Sequence, residues 1–392
     1  MEYDPKTATE EEKEEWWRKR YYDVEIKNDP TPSNKIGYDT GATLENVFDL
    51  PKEEDYMSEE ELYLKEKEST VEHYDEETNN RVSDITEEYD IPNEYASVYN
   101  DIDHLNQKLA ACTDGVGTKI LLAQHAYIKY NRPLNSIGQD VVAMVVNDLI
   151  CKGAEPLFFL DYFASNNIPN DQYHQILAGI HSACTEIGIP LIGGETAELP
   201  GIIRETTLDV AGFGVGKIIK ELPTTIETND VVLGIKASGF HSNGYTIIRR
   251  HTQNISEEFT NLLLEPTIIY ANKIKGLHKL VNIKGLAHIT GGGFDNIKRI
   301  LNKNQTVLYH EHYLYTEDYP TKPTLYRWIQ EREFLTNEQM RTTFNCGIGM
   351  VLIVSKEDAF QLKPYEDIVE IGVIDNVNEP GYTQRHTPVN SA

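Results

Sequence analysis

One short turn combines glycines with an aspartate and a lysine. It runs from Thr113 to Lys119 as Thr-Asp-Gly-Val-Gly-Thr-Lys, between an apolar run and an amphipathic stretch. The glycine spacing is too short for a Walker A loop and the order is Thr-Lys. Even so, the glycines would let backbone N–H groups approach phosphate oxygens, and Lys119 would add positive charge. Asp114 would then be a metal ligand; a tight turn with Asp114 as an N-cap is equally compatible.

A second polar group borders an apolar helix predicted from Asp140 onward, in the sequence Asp-Val-Val-Ala-Met-Val-Val-Asn-Asp. On a helix, position 147 lies about 20° from position 140 on one side, and position 148 lies about 80° from position 140 on the other. Asp140, Asn147 and Asp148 therefore share one flank, while the valines pack inward. Oxygen ligands in this arrangement are typical of a hard-cation site. The alternative is an N-capping Asp140 followed by a solvated Asn147-Asp148 end.

A third carboxylate, Glu195, follows an apolar run and the pair Gly193-Gly194. A carboxylate just beyond a strand is well placed to reach a ligand, because sites in α/β folds gather at strand ends. This motif is weak by itself. Combined with the Gly-Thr-Lys turn and the aspartates, it predicts a Mg-nucleotide site in which the cation bridges carboxylates and phosphates.

Two further turns occur in the second half of the chain. Ser238 to Tyr245 joins a predicted strand to a helix; Ser242 or Asn243 would cap that helix, or its start would hold a phosphate while His241 donates a proton or hydrogen bond. The second turn, Thr290-Gly291-Gly292-Gly293, precedes a helix predicted at 295–301. Consecutive glycines cost backbone entropy unless close approach is needed, although a purely structural turn remains an alternative.

Alternating strand-like runs and amphipathic helices begin near Leu109. Strands are predicted around 157–163, 190–193 and 210–215, with a helix at 171–187. After a link at 216–230, another strand and helix series begins at Val231. The pattern predicts an α/β fold built from two units.

The 392-residue chain has a formal net charge of −27. Residues 1–110 hold 32 acidic and 12 basic side chains, a balance of −20, and the remaining 282 residues carry only −7. Such acidity excludes duplex DNA and anionic membranes as electrostatic partners. Within the acidic part, 10–20 mixes charges at helical spacing; it is either a solvated helix leading into a tether or a docking arm for a protein partner.

Cysteine usage and hydropathy indicate the compartment. The four cysteines are scattered singly, which argues against a zinc ribbon and a disulfide framework. No stretch of 18 apolar residues occurs, and the start of the chain lacks a basic segment with an apolar core. We expect a soluble cytoplasmic protein.

Eight segments in order carry a family resemblance, and they span about 109–350. They read TDGVGTK, DVVAMVVNDLICKGAEPLFFLDYFA, GGETAELPG, DVAGFGVG, SGFHSNGY, EPTIIY, HITGGGF and TFNCGIGM. Together they resemble the phosphoribosylformylglycinamidine cyclo-ligase family, also called AIR synthetase. Weaker similarity extends to Tyr38–Ala42.

The resemblance implies the family's two-domain α/β fold and a homodimer whose N-terminal sheets pair into a barrel. We expect an acidic arm at 1–35, an ATP-binding domain at 36–219 with a divergent segment at 42–108, and a C-terminal domain at 220–392. It also implies that ATP phosphorylates the formamide oxygen of formylglycinamidine ribonucleotide. Ring closure with loss of phosphate then gives aminoimidazole ribonucleotide, in de novo purine biosynthesis.

Site roles follow from the resemblance, position by position. The metal ligands would be Asp114, Asp140, Asp148 and Glu195. ATP and its phosphates would contact Asp114, Gly115, Gly117, Thr118, Lys119, Asp140 and Asn147. The substrate would face His241, Ser242, Asn243, Thr290, Gly291, Gly292 and Gly293. Lys119 and His241 would be catalytic, and the cofactors would be ATP and Mg²⁺.

The chain departs from the family in one segment, because no glycine occurs between Gly41 and Gly115. The family's glycine-rich nucleotide lid cannot be built from such a sequence, so closure must use another element or be weaker. A catalytically silent nucleotide-binding or docking homologue is therefore an alternative. Another is a related ATP-using enzyme, such as selenophosphate synthetase, thiamin-monophosphate kinase or the larger formylglycinamidine synthetase.

Overall fold

A computed structural model describes most of the chain from position 95 onward. The described ranges are 95–101, 107–167, 170–204 and 207–377. The acidic arm expected at 1–35, the Tyr38–Ala42 element and most of the divergent segment at 42–108 lie outside them. All described residues belong to one structural unit of the chain.

The first sheet is mainly antiparallel. Its described strands are β1 Ser97–Asp101, β2 Gln107–Gly115, β3 Ala154–Ser165, β4 Leu191–Glu198 and β5 Leu208–Ile218. Their order is β1-β2-β5-β3-β4, and only the β3–β4 pair is parallel. The helix between β3 and β4 supplies the crossover that parallel pairing requires.

Three helices accompany this sheet: α1 Lys119–Tyr130, α2 Asn135–Cys151 and α3 Asn170–Ile187. α2 packs on β2, β3 and β5 and also contacts the strand Gly285–His288 of the second sheet, so it is buried almost all round. Its apolar run suits that position. α2 and α3 cross closely at Gly138 and Gly179, where an added Cβ would collide with the facing backbone. α2 is therefore the element that holds the two sheets together.

The second sheet is antiparallel throughout. Its described strands are β6 Val231–Lys236, β7 Gly285–His288, β8 Gln305–Tyr309, β9 Ile348–Val354 and β10 Ile368–Asn376. The order is β7-β9-β6-β10-β8. β9 is buried at every position, in keeping with its unbroken apolar sequence.

Short helices surround the second sheet. The α-helices are α4 Tyr245–Ile248, α5 Glu257–Leu263, α6 Ala271–Leu277, α7 Pro323–Glu333, α8 Asn337–Thr343 and α9 Lys356–Leu362. The 3₁₀ helices are Arg249–His251, Gly293–Ile300, Glu311–Leu314 and Thr316–Asp318. Side-chain caps from Ser256, Thr336 and Ser355 begin α5, α8 and α9. The helix predicted at 295–301 is instead the 3₁₀ helix that begins at Gly293.

The mixed α/β class predicted from the sequence is confirmed. The predicted strands near 157–163, 190–193 and 210–215 correspond to β3, β4 and β5, and the predicted helix at 171–187 corresponds to α3. Among the described residues, no helix is both long and apolar enough to span a bilayer.

Candidate active site

The turn that begins the site links β2 to α1. Thr113 Oγ1 donates to the Gly212 carbonyl on β5 at 2.9 Å, and Asp114 Oδ1 accepts the Gly115 N–H at 2.7 Å. Gly117 has a φ of +56°, the left-handed region that glycine adopts without strain. The Asp114 N-cap alternative is wrong, because the cap of α1 is Thr118, without a side-chain cap bond. The turn is fixed by its own backbone and by β5.

Lys119, the first residue of α1, points inward and not toward solvent. Its Nζ lies 2.9 Å from Asp140 Oδ1 and 2.8 Å from Oδ2, and donates to the Glu265 carbonyl at 2.8 Å. Both charged side chains are completely buried. Burial lowers the pKa of Lys119, against the opposing effect of the Asp140 carboxylate. In this arrangement the ammonium group neutralises Asp140; its expected contact with a phosphate stays a prediction.

Asp140 and Asn147 both grip the extended segment 265–270, here named the strap. Asp140 Oδ1 accepts from the Thr267 backbone N–H at 2.7 Å and from Thr267 Oγ1 at 2.6 Å. Asn147 donates to the Ile268 carbonyl and accepts from the Tyr270 N–H, both at 2.9 Å. The N-cap alternative for Asp140 is wrong because α2 begins at Asn135. Of the three side chains predicted to share one flank, Asp140 and Asn147 both bond the backbone of the strap; their role as cation ligands with Asp148 stays a prediction.

Asp148, near the end of α2, shares a neighbour with Asn147, because both side chains approach His288 and Asn147 Nδ2 lies 3.4 Å from His288 Nε2. Asp148 Oδ1 lies 2.7 Å from His288 Nδ1, on the last residue of β7. Both residues are buried, as is Asn147, so the alternative of a solvated end is wrong. Burial, and next the negative charge of Asp148, raise the pKa of Asp114 to about 6. The charge of Asp148 therefore acts on Asp114, and His288 and Arg299 act on it in the opposite direction.

Glu195 lies on β4, the edge strand of the described sheet, and is exposed. It is registered beside Tyr162 of β3. In the described part of the chain, no cluster of three or more acidic, histidine or cysteine side chains has the geometry of a metal site. The four-carboxylate set of Asp114, Asp140, Asp148 and Glu195 stays a prediction, and Asp140 is the member already neutralised by Lys119.

His241 is completely buried and has a φ of +59°. Its Nε2 accepts the Ser238 N–H at 3.2 Å, so the neutral ring carries its hydrogen on Nδ1. Burial lowers the pKa of His241 well below its usual range, and the nearby charge of His288 acts in the same direction. His241 thus holds its own loop as a neutral imidazole; its catalytic role stays a prediction.

The remaining substrate-side residues lie in two loops. Ser242 is partly exposed and Asn243 is buried. Neither caps α4: its N-cap is Gly244, without a side-chain bond, and that capping alternative is wrong. In the glycine turn, the Thr290 N–H and Oγ1 both lie close to Asn296 Oδ1, at 2.8 and 3.2 Å.

The three consecutive glycines differ in their surroundings. An added Cβ at Gly291 would meet nothing nearby, one at Gly292 would approach the Asn296 side chain, and one at Gly293 would collide with the Arg341 carbonyl. Gly293 also has a φ of +54°. Close packing therefore requires the third glycine, and Gly291 leaves open space beside the turn.

Sequence reasoning assigned no role to Thr267 or His288, although both occur in recognised segments. Their roles depend on contacts 127 and 140 residues away along the chain. Asn296, which holds Thr290, had no recognisable signal.

Two family models match consecutive parts of the chain. The N-terminal domain of AIR synthase related proteins matches residues 94–218, and the C-terminal domain matches 227–382. A phosphoribosylformylglycinamidine cyclo-ligase of Methylobacillus flagellatus is 40% identical over 287 residues, covering 69% of this chain and 80% of its own. The enzyme of that name from Cupriavidus taiwanensis is 42% identical over 264 residues, covering 64% and 72%.

Solved structures share the fold at lower identity. Thiamine monophosphate kinase of Aquifex aeolicus superposes with a TM-score of 0.53 at 15% identity, covering 76% of this chain and 94% of its own. The hydrogenase maturation protein HypE in complex with ATP gives 0.50 at 18% identity, with 68% and 76% covered. At such identities the likeness concerns the fold alone. With both domain models matched in order, the chain belongs to the AIR synthase family.

Proposed function

We propose that this chain is a phosphoribosylformylglycinamidine cyclo-ligase that uses ATP to close the imidazole ring of aminoimidazole ribonucleotide. The observation that carries the proposal is the match of both family domains, in a chain 40% identical to an enzyme of that name. Asp114, half-buried beside the glycine turn and with a pKa raised by burial and by the charge of Asp148, supports it. Enzymes of this name are ligases, which fits a C–N bond formed at the expense of ATP.

The chemistry needs an activated oxygen. An amide oxygen leaves poorly until it carries a phosphoryl group, so ATP transfers its γ-phosphoryl to the formamide oxygen and ADP leaves. An amidine nitrogen then loses its proton and forms a C–N bond to that carbon, and the C–O bond breaks with release of phosphate. Phosphoryl transfer of this kind depends mainly on positioning and electrostatics.

The carboxyl groups of Asp114 and Asp148 fit a Mg²⁺ ion. Burial, and next the charge of Asp148, raise the pKa of Asp114, so a bound cation would favour its ionised form. Mg²⁺ is commonly held by one or two carboxylates plus substrate phosphates, so Asp114 and Asp148 would supply its protein ligands, and Glu195 stays a predicted further ligand. When bound, the ion would neutralise charge on the transferring phosphoryl group.

The chain's own residues position the reactants. Gly115, Gly117 and Thr118 present a fixed turn to the nucleotide. Asn147 and Lys119 are also predicted to contact ATP. The loop at 238–245 and the turn at 290–293 face the ribonucleotide. Lys119 of α1 and Asp140 of α2 both bond the strap and so hold it against these two helices.

A homodimer is part of the proposal. The first sheet exposes large apolar side chains on one face, with Leu157, Tyr162 and Phe213 each about two-fifths exposed. A second copy of the chain would cover such a face. Light scattering of the Tyr162→Lys variant should show a monomer where the wild type is a dimer; an unchanged mass would count against this face.

A substrate-dependent assay tests the proposal. Purified protein, ATP, Mg²⁺ and formylglycinamidine ribonucleotide should release ADP and form aminoimidazole ribonucleotide, identified by mass, and Asp114→Asn should release almost none. Absence of substrate-dependent ADP release from the wild type would contradict the proposal.

A catalytically silent nucleotide binder is the second candidate. The absence of glycine from 42–114, where the resemblance implies a nucleotide lid, favours it. Calorimetry showing Mg-ATP binding without substrate-dependent ADP release would support this candidate. The acidic N-terminal part, which is expected to dock a protein partner, lies outside the described residues.

A further inference from the structure

A chain of four side chains links the first residue of α1 to the substrate-side loop. It runs from Lys119 to Asp140, then to Thr267 on the strap, and then to Ser242. Lys119, Asp140 and Thr267 are each completely buried, whereas Ser242 is partly exposed. Ser242, the partly exposed end of this hydrogen-bonded series, therefore lies where a ligand can reach it.

The direction of each hydrogen bond follows from the donors available. Asp140 Oδ1 receives the Lys119 ammonium at 2.9 Å and the Thr267 backbone N–H at 2.7 Å. Both groups only donate, so Oδ1 is an acceptor without a proton. Thr267 Oγ1, 2.6 Å from the same oxygen, must therefore donate its single hydrogen to Asp140.

The polarity of Ser242 is then determined. Ser242 Oγ lies 3.1 Å from Thr267 Oγ1, and one of the two hydroxyls must donate. The Thr267 hydrogen is already used on Asp140, so Ser242 donates to Thr267. Since a hydroxyl has one hydrogen and two lone pairs, Ser242 presents only acceptor capacity to the open side.

We propose that Ser242 accepts a hydrogen bond from an N–H or O–H group of the ribonucleotide substrate, and that Thr267 is the positioning residue that fixes this polarity. The oxygens of a phosphate group accept hydrogen bonds and need a donor. Ser242 presents only acceptor capacity, so it is not a phosphate ligand. The inference rests on the proposed function for its substrate, and narrows the role of Ser242 from facing the ribose phosphate or formyl region to a single acceptor contact.

Kinetics of Ser242→Ala provide the first test. Loss of one hydrogen bond should raise KM for formylglycinamidine ribonucleotide about fivefold to tenfold, with KM for ATP unchanged. Inhibition by inorganic phosphate should also be unchanged. An unchanged substrate KM, or phosphate inhibition weakened in step with it, would overturn the proposal. Because Ser242 is partly exposed, this variant keeps the test independent of core packing.

Variants of Thr267 test the positioning role. Thr267→Val removes the hydroxyl at nearly constant shape and should raise the same KM severalfold, whereas Thr267→Ser should restore it to within about twofold of the wild type. The double variant Ser242→Ala with Thr267→Val should be no worse than Ser242→Ala alone. Effects that multiply would show that Thr267 does not act through Ser242.

Thr260→Val is the matched control, because Thr260 is also buried but its hydroxyl donates only to the Ser256 carbonyl, at 2.9 Å. Its substrate KM should equal that of the wild type. A KM increase equal to that of Thr267→Val would assign the effect to general loosening and contradict the proposal.

Ribose 5-phosphate, used as a competitive inhibitor, identifies the substrate group that donates to Ser242. If Ser242→Ala weakens its inhibition as much as it raises KM, the donor is a sugar hydroxyl; if inhibition is unchanged while KM rises, the donor is an N–H of the amidine or amide. Should the wild type show no turnover, the proposed function fails. Calorimetric binding of formylglycinamidine ribonucleotide to wild type and Ser242→Ala then decides the inference separately, with equal affinities contradicting it.

Discussion

Asp140 and Asp148 lie eight residues apart on α2 and are both buried, yet their surroundings are opposite. Asp140 accepts three hydrogen bonds on one oxygen, one of them from the buried ammonium group of Lys119. Asp148 faces a histidine and lies near a second carboxyl group, Asp114. The first carboxylate is neutralised by a buried ammonium group, whereas the second has a histidine as its partner and raises the pKa of another carboxyl group.

The difference shows why residue type alone does not identify a metal ligand. A buried carboxylate must be paired, and the pair is either internal or supplied by a ligand. At Asp140 the pair is internal, which makes this residue part of the joint between the two sheets. At Asp148 the internal partner is His288, and we propose that a bound cation adds to it.

Removing Asp140 should have the largest effect on stability. Asp140→Ala leaves the Lys119 ammonium buried without its counter-ion and deprives the strap of two hydrogen bonds. We expect the free energy of unfolding to fall by about 3–5 kcal/mol. Urea unfolding should show a lower midpoint with an unchanged slope. A loss below about 1 kcal/mol would mean that the strap does not depend on this ion pair.

Removing the charge of Asp148 should affect activity instead. Asp148→Asn removes a like charge near Asp114 while its amide oxygen can still accept from His288, so apo stability should change by less than about 1 kcal/mol. We expect kcat/KM to fall about a hundredfold or more. Asp209→Asn, at an exposed aspartate of β5, is the matched control and should retain wild-type activity. Equal losses in the two variants would contradict the comparison.

The Asp114 carboxyl should make stability depend on pH. Burial and Asp148 raise its folded pKa to about 6 from an ordinary value of 3.8. A raised carboxyl pKa stabilises the protonated protein, so this contribution is present below about pH 4 and is lost as pH rises through about 6. Across that window it amounts to about 2–3 kcal/mol.

The free energy of unfolding should therefore fall more steeply for the wild type than for Asp114→Asn between pH 4.5 and 7.5. Addition of Mg²⁺ at pH 7.5 should raise the stability of the wild type only, because a cation replaces the missing proton. Parallel pH curves for the two proteins would show that Asp114 is not perturbed.

Much of the fold could be predicted because its signals are local. The apolar run of α2, the strand at 157–163 and the glycine turn each carry their periodicity or turn chemistry in a few adjacent residues. The 3₁₀ form of Gly293–Ile300 was not predicted, since apolar spacing does not separate that helix from a regular one.

The site was predicted less completely because its contacts are long-range. Helical geometry placed Asp140 and Asn147 on one flank, as observed, but the sequence does not show that the strap would occupy that flank. Nor could it show that Lys119 would turn toward Asp140, 21 residues away, or that His288 would meet Asp148. The chemical types were recognisable; which of them neutralise one another depends on tertiary packing.

The smallest effect is expected from an exposed ion pair that joins α6 to β3. Lys275 of α6 pairs with Glu155 of β3, and the two side chains are 63% and 46% exposed. Water screens such a pair and its long side chains lose entropy, so Glu155→Gln should lower the free energy of unfolding by less than about 1 kcal/mol. Urea unfolding in low and high salt measures it, and salt should abolish the small difference while leaving the Asp140→Ala deficit. A loss comparable to that of Asp140→Ala would mean that charge pairing across the joint, and not burial of the charges, sets the cost.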